Sequence, residues 1–224
     1  MLLIILVILL IIAIIYIIKN KVKIKIKTFF RKGFKVTKGV FGVYCYCGKQ
    51  GRGKTYSVVE FLKENSNIPI YANIKSIKGI KYEYINSFDE LLKLRDKDHC
   101  IIVYDEIFTA LTKSSKINTE VLDFLSQMRK RQIIFLTTAQ EWLEIPITLR
   151  RYCRFQIDCN MINIFGLFGI LIKRFYDAEQ MKWSQYDNDY IAPIISTTIS
   201  KCNIKIANSY DTFEQIKSSK NSTK

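Results

Sequence analysis

Residues 44–57 read YCYCGKQGRGKTYS, Tyr44 to Ser57. Within them, Gly48-Lys49-Gln50-Gly51-Arg52-Gly53-Lys54-Thr55 meets every fixed position of the pattern G-x-x-x-x-G-K-[ST]. Val43–Cys47, just before the loop, is short, apolar and β-prone. After it, Val58, Val59, Phe61 and Leu62 recur at helical spacing, which predicts a helix over Thr55–Glu64. Strand, glycine loop and helix are the context in which this pattern binds phosphate. A glycine-rich backbone lets successive N–H groups turn inward around an anion. The helix start adds free amides and the positive end of its dipole. Lys54 is expected to reach the β and γ phosphates, and the Thr55 hydroxyl to ligate Mg²⁺. Gly48 to Thr55 is therefore read as a nucleotide-binding loop. No N-K-x-D motif occurs, which favours ATP over GTP.

A hydrolase of this type needs acids at the end of a second buried strand. Cys100–Tyr104 is a continuous apolar run, as a strand covered on both faces should be, and Asp105-Glu106 follows it. Asp105 is expected to hold Mg²⁺, and Glu106 to orient and deprotonate the attacking water. A third apolar strand, Gln132–Thr138, leads to Gln140, read either as a sensor of the γ-phosphate or as a turn residue. Arg129, Lys130, Arg131, Arg150 and Arg151 lie around it in sequence. One arginine is a candidate finger for a neighbouring subunit's nucleotide. The alternative is a solvated or DNA-facing basic face.

Further strands are expected at Ile68–Ile74 and Cys153–Ile157, and helices at Ser87–Leu94, from a capping-box pattern, and Thr119–Lys130. Alternating strands and helices imply an α/β fold, with a mainly parallel sheet and helices on both faces. The apolar stretch Asn160–Lys173 is too short to cross a bilayer and holds Gly166 and Gly169. Cys153–Met161 and Gly169–Tyr176 are candidates for a hairpin tipped by Ile-Phe-Gly-Leu-Phe. That tip is suited to lipid, a pore or a partner, or to packing under a neighbouring subunit. The six cysteines form no CxxC pair and are read as small buried hydrophobes.

Met1–Ile18 carries no charge, glycine or proline. As a helix it would extend about 27 Å, near the thickness of a bilayer's hydrocarbon core. It lacks the basic start and small-residue end of a cleaved signal peptide. Residues 19–38 then hold eight Lys, one Arg and no acid, nine of the +15 net charge. The expectation is a single-pass helix over 1–18 and a polybasic linker over 19–38. An ATPase domain over 39–216 and a disordered basic tail over 217–224 follow. The basic linker places the N-terminus outside and the domain in the cytoplasm. It can also bind anionic lipid, or nucleic acid.

Taken together, the loop at Gly48–Thr55, YANIKSIKG at Tyr71–Gly79, Tyr104-Asp105-Glu106, RKRQIIFLTTAQ ending in Gln140, and Tyr210-Asp211-Thr212 resemble the zonula occludens toxin (Zot)-like ATPases. These include the assembly ATPase of filamentous phages, within the HerA–FtsK class of DNA-pumping motors. The resemblance covers roughly residues 36–216. It implies an additional-strand P-loop fold, a homo-oligomeric ring and ATP-driven movement of phage DNA. Virion or assembly-site proteins would be partners. In those relatives the span typically follows the ATPase, whereas here it precedes it, an order that also suits packaging ATPases of icosahedral viruses with an internal membrane. The expected function is a membrane-anchored ATPase that moves viral DNA in virion assembly, extrusion or packaging. It would sit in the host membrane or the virion membrane. Alternatives are a P-loop NTPase of conjugation or signalling and a non-enzymatic scaffold.

Overall fold

The computed structural model describes residues 2–20, 22–24, 41–107, 119–164, 168–186 and 188–211. Helix α1 covers Leu2–Lys19. From Ile4 to Ile18 its side chains are exposed on every face. Counted over the described residues alone, no helix is long and apolar enough to cross a membrane. The short strand β1 (Val22–Ile24) follows. Most of the basic linker, residues 165–167 of the hairpin tip, Thr212 and the tail lie outside the described residues.

The domain then runs β2 (Gly42–Cys47), α2 (Lys54–Glu64), β3 (Ile70–Ala72), β4 (Glu83–Tyr84), a 3₁₀ helix at Phe88–Leu94 and β5 (Ile101–Tyr104). It continues through α3 (Thr119–Gln127), β6 (Ile134–Ala139), α4 (Ile147–Arg150), β7 (Cys153–Ile164) and β8 (Phe168–Asp177). Last come β9 (Lys182–Ser184), β10 (Asp189–Ile191), β11 (Ile194–Lys201) and α5 (Ile204–Ala207). Among the described residues nine strands form one sheet in the order β1-β11-β8-β7-β2-β6-β5-β3-β4, and β9 and β10 form a separate two-stranded sheet. From β7 to β4 every pairing is parallel. Strand β6 lies between the loop strand β2 and the acid strand β5, which is the additional-strand arrangement the resemblance implies.

Side-chain alternation along the strands builds two cores. Val43, Cys45, Ile102, Tyr104 and Phe135 point to one face, where α3 covers them with Phe124 and Leu125. Tyr46, Ile101, Val103 and Leu136 point to the other, under Val58, Val59 and Leu62 of α2. Each large apolar side chain so covered contributes about 1.5–3 kcal/mol. The expected strands, helices and two-faced cover are therefore found, with two corrections at element ends. The element at Ser87 is 3₁₀ rather than α, and the Ser87 side chain makes no capping bond. Glu90 Oε2 accepts instead from the Asn86 backbone N–H at 2.7 Å. Helix α3 stops at Gln127 rather than Lys130. Ile133 N–H reaches back to Met128 O at 2.8 Å, and Gln132 takes a positive φ of 56° to permit it.

Strands β7 and β8 pair from Phe155↔Asp177 to Ile164↔Phe168, so Asn160–Lys173 belongs to a hairpin. β7 pairs with β2 only as far as Cys47↔Asp158. Beyond that the hairpin extends past the end of β2 and flanks the loop. β11 joins its outer edge, and β1 joins β11.

Candidate active site

The loop sits where β2 gives way to α2. Gly53, the residue before α2, has φ 86° and ψ 22° and offers no side chain to the helix's first amides. Those amides are left for an anion. Glycine is required here twice over. A Cβ on Gly53 would lie 2.9 Å from Met161 Cε and from Leu171 Cδ1 of the hairpin, in a left-handed backbone. At Gly48, φ 147°, a Cβ would lie 2.7 Å from the Cys159 carbonyl oxygen. The loop is thus seated against β7 and β8. Arg52 adds a hydrogen bond from Nη1 to Asn160 Oδ1 at 2.6 Å. Beneath it, Lys173 Nζ of β8 meets Glu60 Oε2 of α2 at 2.8 Å, both side chains buried.

Lys54 is buried, and its ammonium donates to the loop's own carbonyls, Gly48 O at 2.6 Å and Lys49 O at 3.3 Å. The Thr55 hydroxyl donates to Asp105 Oδ2 at 3.0 Å. The Thr138 hydroxyl donates to Asp105 Oδ1 at 2.5 Å and accepts from the Glu106 backbone N–H at 2.7 Å. Asn73 accepts from the Asp105 N–H at 2.6 Å and donates Nδ2 to the Asp105 carbonyl at 3.1 Å. Burial pushes the Asp105 carboxyl above the ordinary aspartate range, against the hydroxyls of Thr138 and Thr55 and the charge of Lys54. Glu106 is raised too, by burial first and by Asp105 second, with Lys54 opposing. Its φ is 54°, left-handed for a non-glycine residue.

The loop and both acids are thus brought together from β2, α2 and β5. Gln140 is exposed at the end of β6, and its carbonyl accepts from the Gly48 N–H at 3.1 Å, so it borders the loop as expected. A cleft of about 430 Å³ opens between loop, Gln140–Trp142 and β7, with Lys49, Arg52 and Asp158 on its walls. The arginines are elsewhere. Arg129 lies against Gly42 at the start of β2 and pairs with Glu179 at 3.1 Å. Arg131 precedes β6 and faces Gln127 and Asp98. Arg150 is buried near Trp142, and exposed Arg151 follows it, before β7. These strand starts lie about 20 Å from the loop, at roughly 3.3 Å per strand residue. Arg129, Arg131 and Arg151 are therefore away from the chain's own site, whereas the Arg150 guanidinium lies 6.0 Å from the ring centroid of Trp142, which borders the cleft.

Asn73 and Thr138 are the functional candidates the sequence reading passed over. Each left a trace: an amide directly after a buried strand, and a hydroxyl pair, Thr137-Thr138, inside an apolar one. The cysteines are buried except half-buried Cys202, and none is bridged. Burial holds the thiols of Cys100 and Cys202 up at about 11, so they stay protonated. Among the described residues no His, Cys, Asp and Glu group could hold a metal by itself.

The model of the ATPase family associated with various cellular activities (AAA) matches residues 44–161, from β2 through the acids into β7. The chain belongs to the AAA ATPase family. Within this AAA fold, the N-terminal domain of zonular occludens toxin from Neisseria meningitidis superposes with a TM-score of 0.50 at 18% identity. The match covers 77% of this chain and 100% of that domain. The likeness is one of fold. The genome packaging NTPase B204 of Sulfolobus turreted icosahedral virus 2, in complex with ATP-gammaS, gives 0.45 at 10% identity, over 69% and 98% of the two chains. The flagellar accessory protein FlaH of Methanocaldococcus jannaschii gives 0.43 at 14%, over 64% and 81%. No curated protein sequence matches this AAA chain.

Proposed function

We propose that the chain is a membrane-anchored ATPase that couples ATP hydrolysis to movement of viral, phage-type DNA during virion assembly, extrusion or genome packaging. The observation that carries the hydrolytic half is the convergence of Thr55 and Asp105 at 3.0 Å, with Glu106 next in the chain. A hydroxyl and a carboxylate oxygen meeting at one point suit a hard, oxygen-seeking cation, so Thr55 and Asp105 would hold Mg²⁺. When bound, that ion would neutralise charge between the β and γ phosphates. Loop amides and Lys54 would bind the triphosphate. Glu106, raised above its ordinary range, would take the proton of the attacking water. Gln140 borders the phosphate end and is a candidate to contact the γ-phosphate or the water.

The remaining parts of the reading rest on charge and placement. A net charge of +15 suits a polyanionic cargo held without regard to sequence. Arg129, Arg131 and Arg151, at the far end of the sheet, would be free to serve a neighbour's site in a homo-oligomeric ring. Helix α1, apolar on all faces, supports a membrane anchor. The basic residues after it favour an outside N-terminus, a cytoplasmic domain and contact with anionic lipid. The test is the ATPase rate with and without single- and double-stranded DNA, beside Glu106→Gln. Stimulation by DNA, absent in the variant, is the expected result. Turnover indifferent to either DNA at low salt would leave an ATPase that moves something else.

A further inference from the structure

The ladder that orders β5 ends at Tyr104, paired with Thr137 on one side, while Val103 pairs with Ala72 on the other. Asp105 and Glu106 come after these last ladder pairs. Two side chains take over. The peptide unit joining the two acids has its carbonyl held by Asn73 Nδ2 at 3.1 Å and its N–H held by Thr138 Oγ1 at 2.7 Å. Asn73 Oδ1 also takes the Asp105 N–H at 2.6 Å. One grip comes from the end of β3 and the other from β6, the two strands that flank β5. Both residues are buried.

The consequence is geometric. With the peptide plane gripped at both its polar atoms, Glu106 is held at φ 54°, which an unsupported glutamate rarely adopts. That backbone setting decides where the Glu106 carboxylate stands relative to Asp105. Thr138 also orients the Asp105 carboxylate through Oδ1, while Thr55 takes Oδ2. Two residues on, just past the end of β6, the Gln140 carbonyl holds the Gly48 N–H. The end of β6 therefore sets the acid pair and the loop in one frame.

We infer that Asn73 and Thr138 are positioning residues for ATP hydrolysis. They grip the Asp105–Glu106 peptide so that Glu106 meets the attacking water, and they contribute little to holding the nucleotide. This rests on the reading of the site as an ATP-hydrolysing one. A misplacement of the base by about 1 Å is enough to cost about 10²-fold in rate.

The experiment measures kcat, KM and nucleotide affinity on the full chain for Thr138→Val, Thr138→Ser and Asn73→Ala. Thr138→Val is expected to lower kcat about 10²-fold with KM and affinity within about 3-fold. Thr138→Ser, which keeps the hydroxyl, is expected to restore most of the rate. Because both residues act on one peptide, Asn73→Ala with Thr138→Val should cost no more than the worse single change. Should Thr138→Val fail to fold, the smaller Thr138→Ala is read in the same way. Retention of kcat in Thr138→Val overturns the inference, as does a serine variant no better than valine, or a loss confined to KM. A wild-type chain without ATP turnover overturns the hydrolytic reading itself, and this inference with it.

Discussion

Asp105 carries a conflict between stability and activity. Burial raises its carboxyl above the ordinary value of 3.8, so the ionised form is disfavoured in the folded, ligand-free chain. A group whose folded pKa is raised makes the protein less stable as pH climbs from the unfolded pKa through the folded one. Asp105→Asn removes that penalty and keeps an acceptor for Thr55. In urea unfolding without nucleotide, the variant and wild type should have similar midpoints at about pH 4, with the variant gaining as pH rises towards about 7. A gap that shrinks with rising pH would reverse the sign and refute the argument. The same variant should lose Mg²⁺-dependent turnover, because the cation's charged ligand is gone. Glu106→Gln differs. It should bind ATP normally and hydrolyse it about 10²–10⁴-fold more slowly, the usual weight of a general base, as single-turnover assays would show. Lys54 and Thr55 were legible as candidates because they belong to a motif of fixed spacing, and Asp105 and Glu106 because they follow an apolar run. Asn73 and Thr138 were not, since their roles arise only when β3, β5 and β6 lie side by side.

Among the elements, the β7–β8 hairpin does the most to seat the loop. Its strongest tie to α2 is the buried pair Lys173–Glu60 at 2.8 Å. Removing one partner leaves a charge buried without its counter-ion, at a cost of about 3–5 kcal/mol. Lys173→Met should therefore destabilise the domain by that amount in urea unfolding. Lys173→Met with Glu60→Leu should recover most of it, since an apolar replacement of both partners is often neutral. A double variant as unstable as the single one would show that the pair is needed for its charge. Gly53→Ala tests the other contact. It should impair ATP binding as well as stability, because the added carbon meets Met161 and Leu171 and the backbone is left-handed. Sequence periodicity found β2, β3, β5, β6 and β7 because parallel strands covered on both faces are apolar runs, and it passed over the two-residue β4. It passed over β11, whose buried Thr197, Thr198 and Ser200 read as polar. Strands β9 and β10 are three residues each, too short to show a period.

The chain as a single object is polarised. The nucleotide loop, both acids and the hairpin lie at the C-terminal ends of the parallel strands. Arg129, Arg131 and Arg151 lie at the other end. Such a separation suits a ring, where one subunit's basic end can approach the next subunit's site. The chain's net charge of +15, nine of it on residues 19–38, also predicts how cargo binding responds to salt. If DNA is held through its phosphates, each neutralised phosphate releases a counter-ion and the affinity falls steeply with ionic strength. With about 6–10 such contacts, binding should weaken about 10³–10⁵-fold between 50 and 200 mM salt. A nucleotide held against the loop's amides and buried Lys54 would be screened far less. Basal ATPase should then change little over a salt range that abolishes the DNA-stimulated part. The check is a salt titration of turnover at saturating ATP, with and without DNA. Stimulation that persists undiminished at high salt would mean the cargo is gripped by something other than charge.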